Sequence, residues 1–415
     1  MEECKEFVNN AANVQTNISL IQAPIYVFKT SKCKTVIEES IGLEFDNSKS
    51  QMLILIPEDG EIKFAFSNSS GNIHRDDNYK NVLTDFISFD YDDINKAKKQ
   101  IEQFIKNNGY PFKNPAPDLS VVAIYEINKI SYRMKVTFEL LNALGEKVPD
   151  YEKILSLLIS LIFLNPVSIN SGGVKYRSYM CELTKLIFND ESSDFDDSDN
   201  NEAVDSTLDH YWQMYSDMMS PGIIKFIREP PLEQRLSDLS LHSSNTNNNI
   251  NKTKENSSFI FNKIIMLYEN RQADIKATVT QDLLYFLYIY YFDIGVPKKL
   301  SIDGIEYYQK PDYEKFDNQM KNELIRLAKC VVSEEINYNL REITPAFDPK
   351  TLRFSWKIDS LIEALYFAMS TLRPNVKLYR RCKKCDSYFT VNSTNSKREY
   401  CRKECQNNRN TKGKK

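Results

Sequence analysis

The chain has 415 residues, of which 41% are hydrophobic, so it is long enough to bury two or three cores. It carries 54 Lys and Arg against 57 Asp and Glu, a formal net charge of −3, which excludes a uniformly basic or acidic protein. The longest apolar runs, 154–164 and 283–292, are shorter than the ~20 residues that a membrane span requires. The polar, acidic start resembles no cleavable signal, so we expect a soluble cytoplasmic protein.

Residues 1–117 are predicted to form a mixed α/β N-terminal region. Apolar runs rich in β-branched and aromatic residues predict strands at 25–28, 52–56 and 62–66. The turn-forming residues 57–60 stand between the last two runs and predict a β-hairpin. Asp92 or Asp93 then begins a helix that Gly109 ends.

Residues 118–375 are predicted to form a helical body. The run 154–164 is apolar nearly all round, which is typical of a central, buried helix. Two segments rich in Ser, Asn and Asp, 190–207 and 241–258, interrupt the body and are expected to be polar loops.

The end of this body has clear local signals. Apolar and polar residues alternate from Leu352 to Ile358, which predicts a half-buried strand. Ser360 and Glu363 have the spacing of a capping box, so a helix begins there and ends before Pro374. We expect this helix to dock the C-terminal module onto the body.

Residues 376–415 are predicted to form a zinc-binding basic module. Two close cysteine pairs, Cys382 with Cys385 and Cys401 with Cys405, are separated by fifteen residues. This is the ligand spacing of a tetrahedral thiolate site, so we expect one structural Zn²⁺. A strand from Val376, a hairpin formed by 388–391 and 399–400, and a helix from Cys401 would give a treble-clef-like order.

The charge of this module differs from that of the rest of the chain. Residues 376–415 carry 13 Lys and Arg against three Asp and Glu, a net charge of +10, whereas the other residues sum to −13. Basic side chains interleaved with tyrosine and phenylalanine are typical of nucleic-acid binding, which predicts contact with DNA or RNA. The candidate phosphate contacts are Arg380, Arg381, Lys383, Lys384, Lys397, Arg398, Arg402, Lys403 and Arg409.

Two other interpretations of the basic charge stay open. A zinc ion with four thiolates has a net charge of −2, which nearby Arg and Lys would stabilise without any partner. The tail would otherwise dock on the acidic body, with its aromatic residues packing the hairpin. Zinc would then be purely structural, and the protein would be a protein-interaction module.

The tail also resembles a known kind of zinc finger. The run 381–385, Phe389, Tyr400-Cys401 and the residues from Cys405 to Arg409 resemble the C-terminal zinc tail of uncharacterised bacterial proteins. They are also similar to the CGNR-type zinc finger, although 406–409 (Gln-Asn-Asn-Arg) has one residue more and no glycine. The resemblance covers about the last 65 residues, and it implies zinc and a regulator that binds DNA.

A non-enzymatic protein is expected, and an enzyme of unrecognised type stays open as a third alternative, because catalytic groups can come together only in the folded chain. The chain has three histidines and only 11 glycines, and no nucleophile, metalloprotease or phosphate-loop motif appears. His74-Arg75-Asp76 with Asn81 has the spacing of a kinase catalytic loop, but no glycine-rich loop precedes it. The predicted fold class is α+β, a mostly helical body with a strand-containing N-terminal region and a small zinc module. The expected partners are DNA, RNA or another protein, and no membrane.

Overall fold

The computed structural model describes part of the chain in detail. The described residues are 27–40, 50–67, 72–75, 80–91, 93–113, 119–164, 166–171, 173–188, 264, 267, 278–308, 310–348, 353–372, 377–392 and 398–407. The polar loops predicted at 190–207 and 241–258 lie outside these residues.

Both helices and strands occur throughout the described residues, which confirms a mixed α and β composition. The strands are β1 (Val27–Ser40), β2 (Ser50–Ser67), β3 (Asn72–Arg75), β4 (Ser120–Ala123), β5 (Ser168–Ser171), β6 (Val174–Arg177), β7 (Pro297–Ser301), β8 (Gly304–Tyr307), β9 (Thr344–Asp348), β10 (Arg353–Lys357), β11 (Lys377–Arg381) and β12 (Tyr388–Asn392). The helices are α1 (Val82–Phe86), α2 (Ile94–Asn108), α3 (Ile124–Leu144), α4 (Tyr151–Phe163), α5 (Glu182–Phe188), α6 (Thr278–Ile289), α7 (Asn318–Leu340), α8 (Leu361–Ser370) and α9 (Lys403–Asn407).

The described residues divide into two compact units. The first unit takes those up to Asp150, then Leu164–Tyr179, and those from Val332 onward. The second unit takes Tyr151–Phe163 and the described part of Met180–Val331. The division into 1–117, 118–375 and 376–415 stays a prediction.

The N-terminal sheet corrects the predicted hairpin. Runs 52–56 and 62–66 belong to one continuous strand, β2, which pairs antiparallel with β1 from Ser50 to Ala65, apart from a bulge. Opposite Ser31 and Lys32 the register jumps from Glu61 to Glu58, so Asp59 and Gly60 form a β-bulge rather than a turn. The residues at 57–60 do suit a turn, but β1 supplies a longer ladder of hydrogen bonds than a short hairpin would.

Helix α2 begins and ends as its sequence predicts. The Asp93 carboxylate accepts hydrogen bonds from the backbone N–H groups of Asn95 and Lys96, at 3.0 and 3.2 Å. Gly109 follows the helix with φ +81°, a conformation that residues with a Cβ rarely adopt. The chain then turns against β1, where the Tyr110 N–H donates to the Ser31 carbonyl at 3.0 Å.

We expect Gly109→Ala to lower the free energy of unfolding by about 2–3 kcal/mol, since it combines a positive φ with a clash. A Cβ at Gly109 would stand 2.5 Å from Thr30 Oγ1 and would also overlap the Ser31 carbonyl oxygen. Urea denaturation measures the change. Gly60→Ala is the matched control, because φ there is +110° but the nearest atom is the flexible Lys32 side chain at 3.3 Å. Equal losses from the two variants would contradict the clash.

Helix α3 is the central element of the first unit, and it buries charge as well as apolar surface. Arg133 is 4% exposed and donates from Nε to both carboxylate oxygens of Glu335, at 2.9 and 3.0 Å, and from Nη2 at 2.7 Å. Burial alone would lower the pKa of Arg133, but the Glu335 carboxylate raises it above the usual value. The Tyr366 hydroxyl donates to Glu335 at 2.9 Å, so α8 is joined to the same pair.

The strand and helix predicted before the tail are confirmed. Strand β10 pairs with β9, and α8 begins with the complete capping box of Ser360 and Glu363. Phe367 of α8 packs edge-on against Phe66 of β2, with ring centroids 5.3 Å apart. Helix α8 therefore joins the N-terminal sheet to the core of the first unit.

The second unit is built around helix α4, which confirms the buried helix predicted at 154–164. Its Ser156 hydroxyl lies within hydrogen-bond distance of the carbonyl oxygens of Ser301 (2.6 Å) and Gly304 (3.0 Å), which fastens the β7–β8 turn. In the π-helical turn that follows α6, Tyr290 is buried, and its hydroxyl lies 2.6 Å from that of Tyr307. Apolar rings with satisfied hydroxyls indicate core packing here.

Candidate metal centre

The four cysteines of the tail come from two short segments. Cys382 and Cys385 lie in the turn that joins β11 to β12, whereas Cys401 precedes α9 and Cys405 lies within it. The first turn is tight: the Asp386 N–H donates to the Cys382 carbonyl at 2.9 Å, and Asp386 has φ 57°. The predicted hairpin is therefore corrected, because β12 pairs with β11 and no strand forms at 399–400.

The four sulfur atoms lie close enough together to hold a metal ion. Sγ of Cys401 lies 3.5 Å from those of Cys385 and Cys405, and the latter two are 3.8 Å apart. All four sulfurs lie within 4.8 Å of one another. A tetrahedron with metal–sulfur bonds of about 2.3 Å has edges of about 3.8 Å. A disulfide would need about 2.05 Å, so these are free thiols arranged as a ligand set.

Backbone donors favour thiolate at the first pair. Burial opposes ionisation of Cys382, but N–H groups that include those of Cys385 and Cys401 lower its pKa to about 6. Hydrogen bonds from Ser387 lower the pKa of Cys385. Burial raises the pKa of Cys401, and it raises that of Cys405 to about 12. Metals bind the thiolate form of cysteine. A cation bound here would stabilise the thiolates of Cys401 and Cys405, whose pKa values are otherwise raised.

Aromatic residues of the hairpin pack on helix α3. The rings of Tyr379 and Tyr388 both meet Phe138 edge-on, with centroids 5.2 and 5.4 Å away. The Tyr379 N–H donates to the Asn142 side chain at 3.0 Å, and its hydroxyl accepts from Asn81 at 3.4 Å. These two tyrosines therefore pack the hairpin and are not available for stacking on bases.

Charged residues strengthen the same interface. Glu139 is 4% exposed, and it accepts a hydrogen bond from the Tyr388 hydroxyl at 2.8 Å. Its carboxylate also lies 3.3 Å from Nε of Arg381. Arg380 reaches Glu146 near the end of α3, at 3.5 Å. The hairpin is thus bound to α3 through opposite charges as well as through aromatic rings.

Of the seven described basic residues that were predicted to contact nucleic acid, three have acidic partners. Arg381 pairs with Glu139 of α3, Arg380 pairs with Glu146 just after α3, and Lys383 lies 2.7 Å from the Glu399 carboxylate. The Lys383 N–H also donates to the Glu399 carbonyl at 3.1 Å, which ties the first cysteine pair to the segment before Cys401.

Four further basic residues are exposed near the cysteines. These are Lys384, Arg398, Arg402 and Lys403. Arg398 donates to the Tyr400 carbonyl at 2.9 Å and lies over the Phe389 ring, 5.2 Å from its centroid. A hydrogen bond to the Cys401 sulfur raises the pKa of Arg402. The remaining two predicted contacts, Lys397 and Arg409, lie outside the described residues.

Sequence reasoning missed the residues that receive the hairpin. The sequence pointed to α8 as the docking helix, whereas the contacts described above lie on α3 and at Asn81. Asn81, which has the spacing of a kinase-like motif in the sequence, caps α1. The available signal was weak: Phe138, Glu139 and Asn142 stand in a helix that is buried nearly all round, so no polar face marks them.

Comparisons with family models, with curated proteins and with solved structures give no match for this chain. Among the described residues, no helix is both long enough and apolar enough to cross a membrane. The case for function therefore rests on the geometry of the cysteine cluster and of the hairpin that carries it.

Proposed function

We propose that the four cysteines hold one structural zinc ion, and that this ion fastens the β11–β12 hairpin to helix α3. The observation that supports this most is that three sulfur–sulfur distances, among Cys385, Cys401 and Cys405, are 3.5–3.8 Å, close to the edge of a zinc–thiolate tetrahedron, with the Cys382 sulfur within 4.8 Å of them. Four protein sulfurs leave no coordination position for water or substrate, which favours a structural over a catalytic ion.

The proposed ion supplies folding energy that the tail lacks by itself. Strands β11 and β12 have five residues each, and α9 has five. Two-stranded hairpins of this size are marginally stable alone. Metal binding joins the turn of the hairpin to α9, so that Tyr379 and Tyr388 are held against Phe138.

On this basis we assign the protein a binding role rather than an enzymatic one. It would be an interaction module in which the zinc ion is purely structural. Docking against Glu139 and Glu146 uses the charge of Arg380 and Arg381 within the chain. Packing on Phe138 uses the two tyrosines. The basic charge and the aromatic residues of the tail, which suggested nucleic-acid binding from the sequence, are therefore partly explained by contacts within the protein.

Metal analysis of the purified chain tests the zinc centre. We expect about one zinc per chain by plasma mass spectrometry, as for a four-cysteine site. Cys382→Ser is expected to lose most of it, because Cys382 is buried among the other ligands. Cys330→Ser is the matched control, since Cys330 is a buried thiol outside the cluster. Visible absorption from iron–sulfur charge transfer, or no bound metal after refolding with zinc, would contradict the proposal.

Nucleic-acid binding is the second candidate, and the exposed residues Lys384, Arg398, Arg402 and Lys403 favour it. All four stand within three residues of a cysteine ligand along the chain, so the ligand set would present them together. A regulator that reads DNA or RNA through this surface would contact mainly phosphates, and its affinity would fall steeply with salt.

Fluorescence anisotropy with labelled duplex and single-stranded oligonucleotides, across a salt series, tests this candidate. We expect a Lys384→Ala/Lys403→Ala variant to weaken binding and to lower the salt slope by about two, since each phosphate that is no longer neutralised lowers it by about one. Lys96→Ala/Lys129→Ala removes the same charge from α2 and α3 and is the control. Salt-independent binding, or an equal effect in the control, would contradict contact through the tail.

A further inference from the structure

The four proposed zinc ligands differ in their exposure to solvent. Cys382 is 1% exposed and Cys405 is 8% exposed, so both are buried. Cys401 is intermediate, and Cys385 is exposed. A small oxidant in solution would therefore meet the Cys385 sulfur first.

The exposed sulfur also has a second sulfur within reach. Sγ of Cys385 lies 3.5 Å from Sγ of Cys401, the other partly accessible ligand. A disulfide needs about 2.05 Å, so the two sulfurs would approach by about 1.5 Å. These cysteines belong to different segments, the β11–β12 turn and the residues before α9.

We propose that Cys385 is a site of oxidation by peroxide, that Cys401 resolves it as a disulfide, and that the zinc ion then leaves. This inference rests on the proposed zinc centre and names how that centre is regulated. Its basis is the combination of exposure and sulfur–sulfur distance that Cys385 and Cys401 share. Metal coordination keeps both sulfurs in the thiolate form, which is the nucleophilic one.

The reaction has two steps. The Cys385 sulfur attacks one oxygen of hydrogen peroxide, the O–O bond breaks, and hydroxide leaves and takes a proton to become water. The product is a sulfenic acid at Cys385. The Cys401 sulfur then attacks the Cys385 sulfur, the S–O bond breaks, and a second hydroxide becomes water. The two sulfurs lose two electrons in total, and the peroxide is reduced to two waters.

The other close pairs fit this role less well. Cys405, whose sulfur lies 3.8 Å from that of Cys385, and Cys382 are both buried, so either would form a disulfide with Cys385 less readily than Cys401 would. Pairing Cys401 with Cys405 would leave the exposed Cys385 unused. A Cys385–Cys401 disulfide removes one ligand from each cysteine pair, so the metal keeps only Cys382 and Cys405. Two ligands bind zinc far more weakly than the closed four-ligand set, and the ion leaves.

The test uses the full chain loaded with zinc, and the zinc content is measured first. Hydrogen peroxide is added, released zinc is followed with a chromogenic chelator, and the alkylated protein is digested with trypsin. Lys and Arg separate all four cysteines, so each lies in its own peptide. We expect zinc release to coincide with a link between peptides 385–397 and 399–402, and dithiothreitol with added zinc to reverse both.

Two histidine variants sharpen the result, because three cysteines and one histidine also form a structural zinc site. We expect Cys385→His to keep zinc and to slow its release by peroxide at least about tenfold, since oxidation follows thiolate character and exposure. Cys382→His replaces the buried ligand of the same turn and is expected to stay sensitive.

The outcomes separate the two proposals. A chain that binds no zinc contradicts both the zinc centre and its oxidation. A zinc-loaded chain that forms a different disulfide, or that keeps its zinc at peroxide concentrations that oxidise free cysteine, contradicts the oxidation alone. If neither histidine variant binds zinc, the peptide map of the chain with all four cysteines still shows whether the Cys385–Cys401 disulfide forms.

Discussion

Removing the proposed zinc ion from the C-terminal centre is expected to release the β11–β12 hairpin from helix α3 without unfolding the first unit. The Tyr379 N–H, which donates to Asn142 at 3.0 Å, should lose protection from hydrogen exchange. With free zinc at about 100 times its dissociation constant, the metal-bound state gains about 2.7 kcal/mol, so protection should fall about a hundredfold. Hydrogen exchange with mass spectrometry measures this after addition of a zinc chelator.

The expected pattern is confined to the interface. Peptides covering β11, β12 and residues 138–142 of α3 should exchange faster, whereas helix α2, which belongs to the same unit, should not. Faster exchange throughout the first unit would mean that the metal holds more than the hairpin. Unchanged exchange of Tyr379 would contradict the proposed clamp.

Glu139→Leu provides a control that separates docking from metal binding. The variant removes the acceptor for Tyr388 and the charge opposite Arg381, but it leaves the four cysteines of the cluster unchanged. We expect it to keep its zinc and to lose protection at the hairpin. Loss of zinc in this variant would indicate that docking on α3 is needed to form the metal site, and not that metal binding causes docking.

The second large effect is expected at the buried pair of Arg133 and Glu335. Glu335 is completely buried and accepts three hydrogen bonds from Arg133 and one from Tyr366. Glu335→Ala leaves the guanidinium buried without its counter-charge, which costs roughly 3–5 kcal/mol of unfolding free energy. The midpoint of urea denaturation should fall accordingly.

Two comparisons decide whether the missing charge causes that loss. Arg133→Leu together with Glu335→Leu removes both charges and should be less destabilising than Glu335→Ala, because no uncompensated ion remains. Lys96→Ala breaks an exposed pair with Asp90 at 2.6 Å and should cost under about 1 kcal/mol. A double variant as unstable as Glu335→Ala would point to weaker packing instead.

Docking and oxidation would act on the same element if both proposals hold. The hairpin that packs on Phe138 also carries Cys385 at its turn. Oxidation that expels the metal would therefore have the same effect on the Tyr379 N–H as the chelator. Hydrogen exchange after peroxide treatment would show this link directly.

Features encoded by neighbouring residues could be predicted from the sequence. The cap of α2 at Asp93, the capping box of Ser360 and Glu363, and the close spacing within each cysteine pair each depend on groups within a few residues. Their physical causes are hydrogen bonds and chain geometry over one helical turn or one tight turn. Such local signals do not depend on the tertiary contacts of the rest of the chain.

The partner of each long-range contact was decided only by the tertiary structure. The sequence predicts a turn where the structure has a bulge, because nothing near residues 57–60 shows that β1 will pair with β2 on both sides of them. It also could not match Glu335 with Arg133, which lies 202 positions away, or Glu139 with Tyr388, which lies 249 positions away. A buried charge is stable only beside its counter-charge, and that pairing exists only after the chain has folded. The sequence by itself thus determined the candidate metal ligands and the basic charge of the tail, whereas folding decided that part of this charge is bound by the protein's own helix.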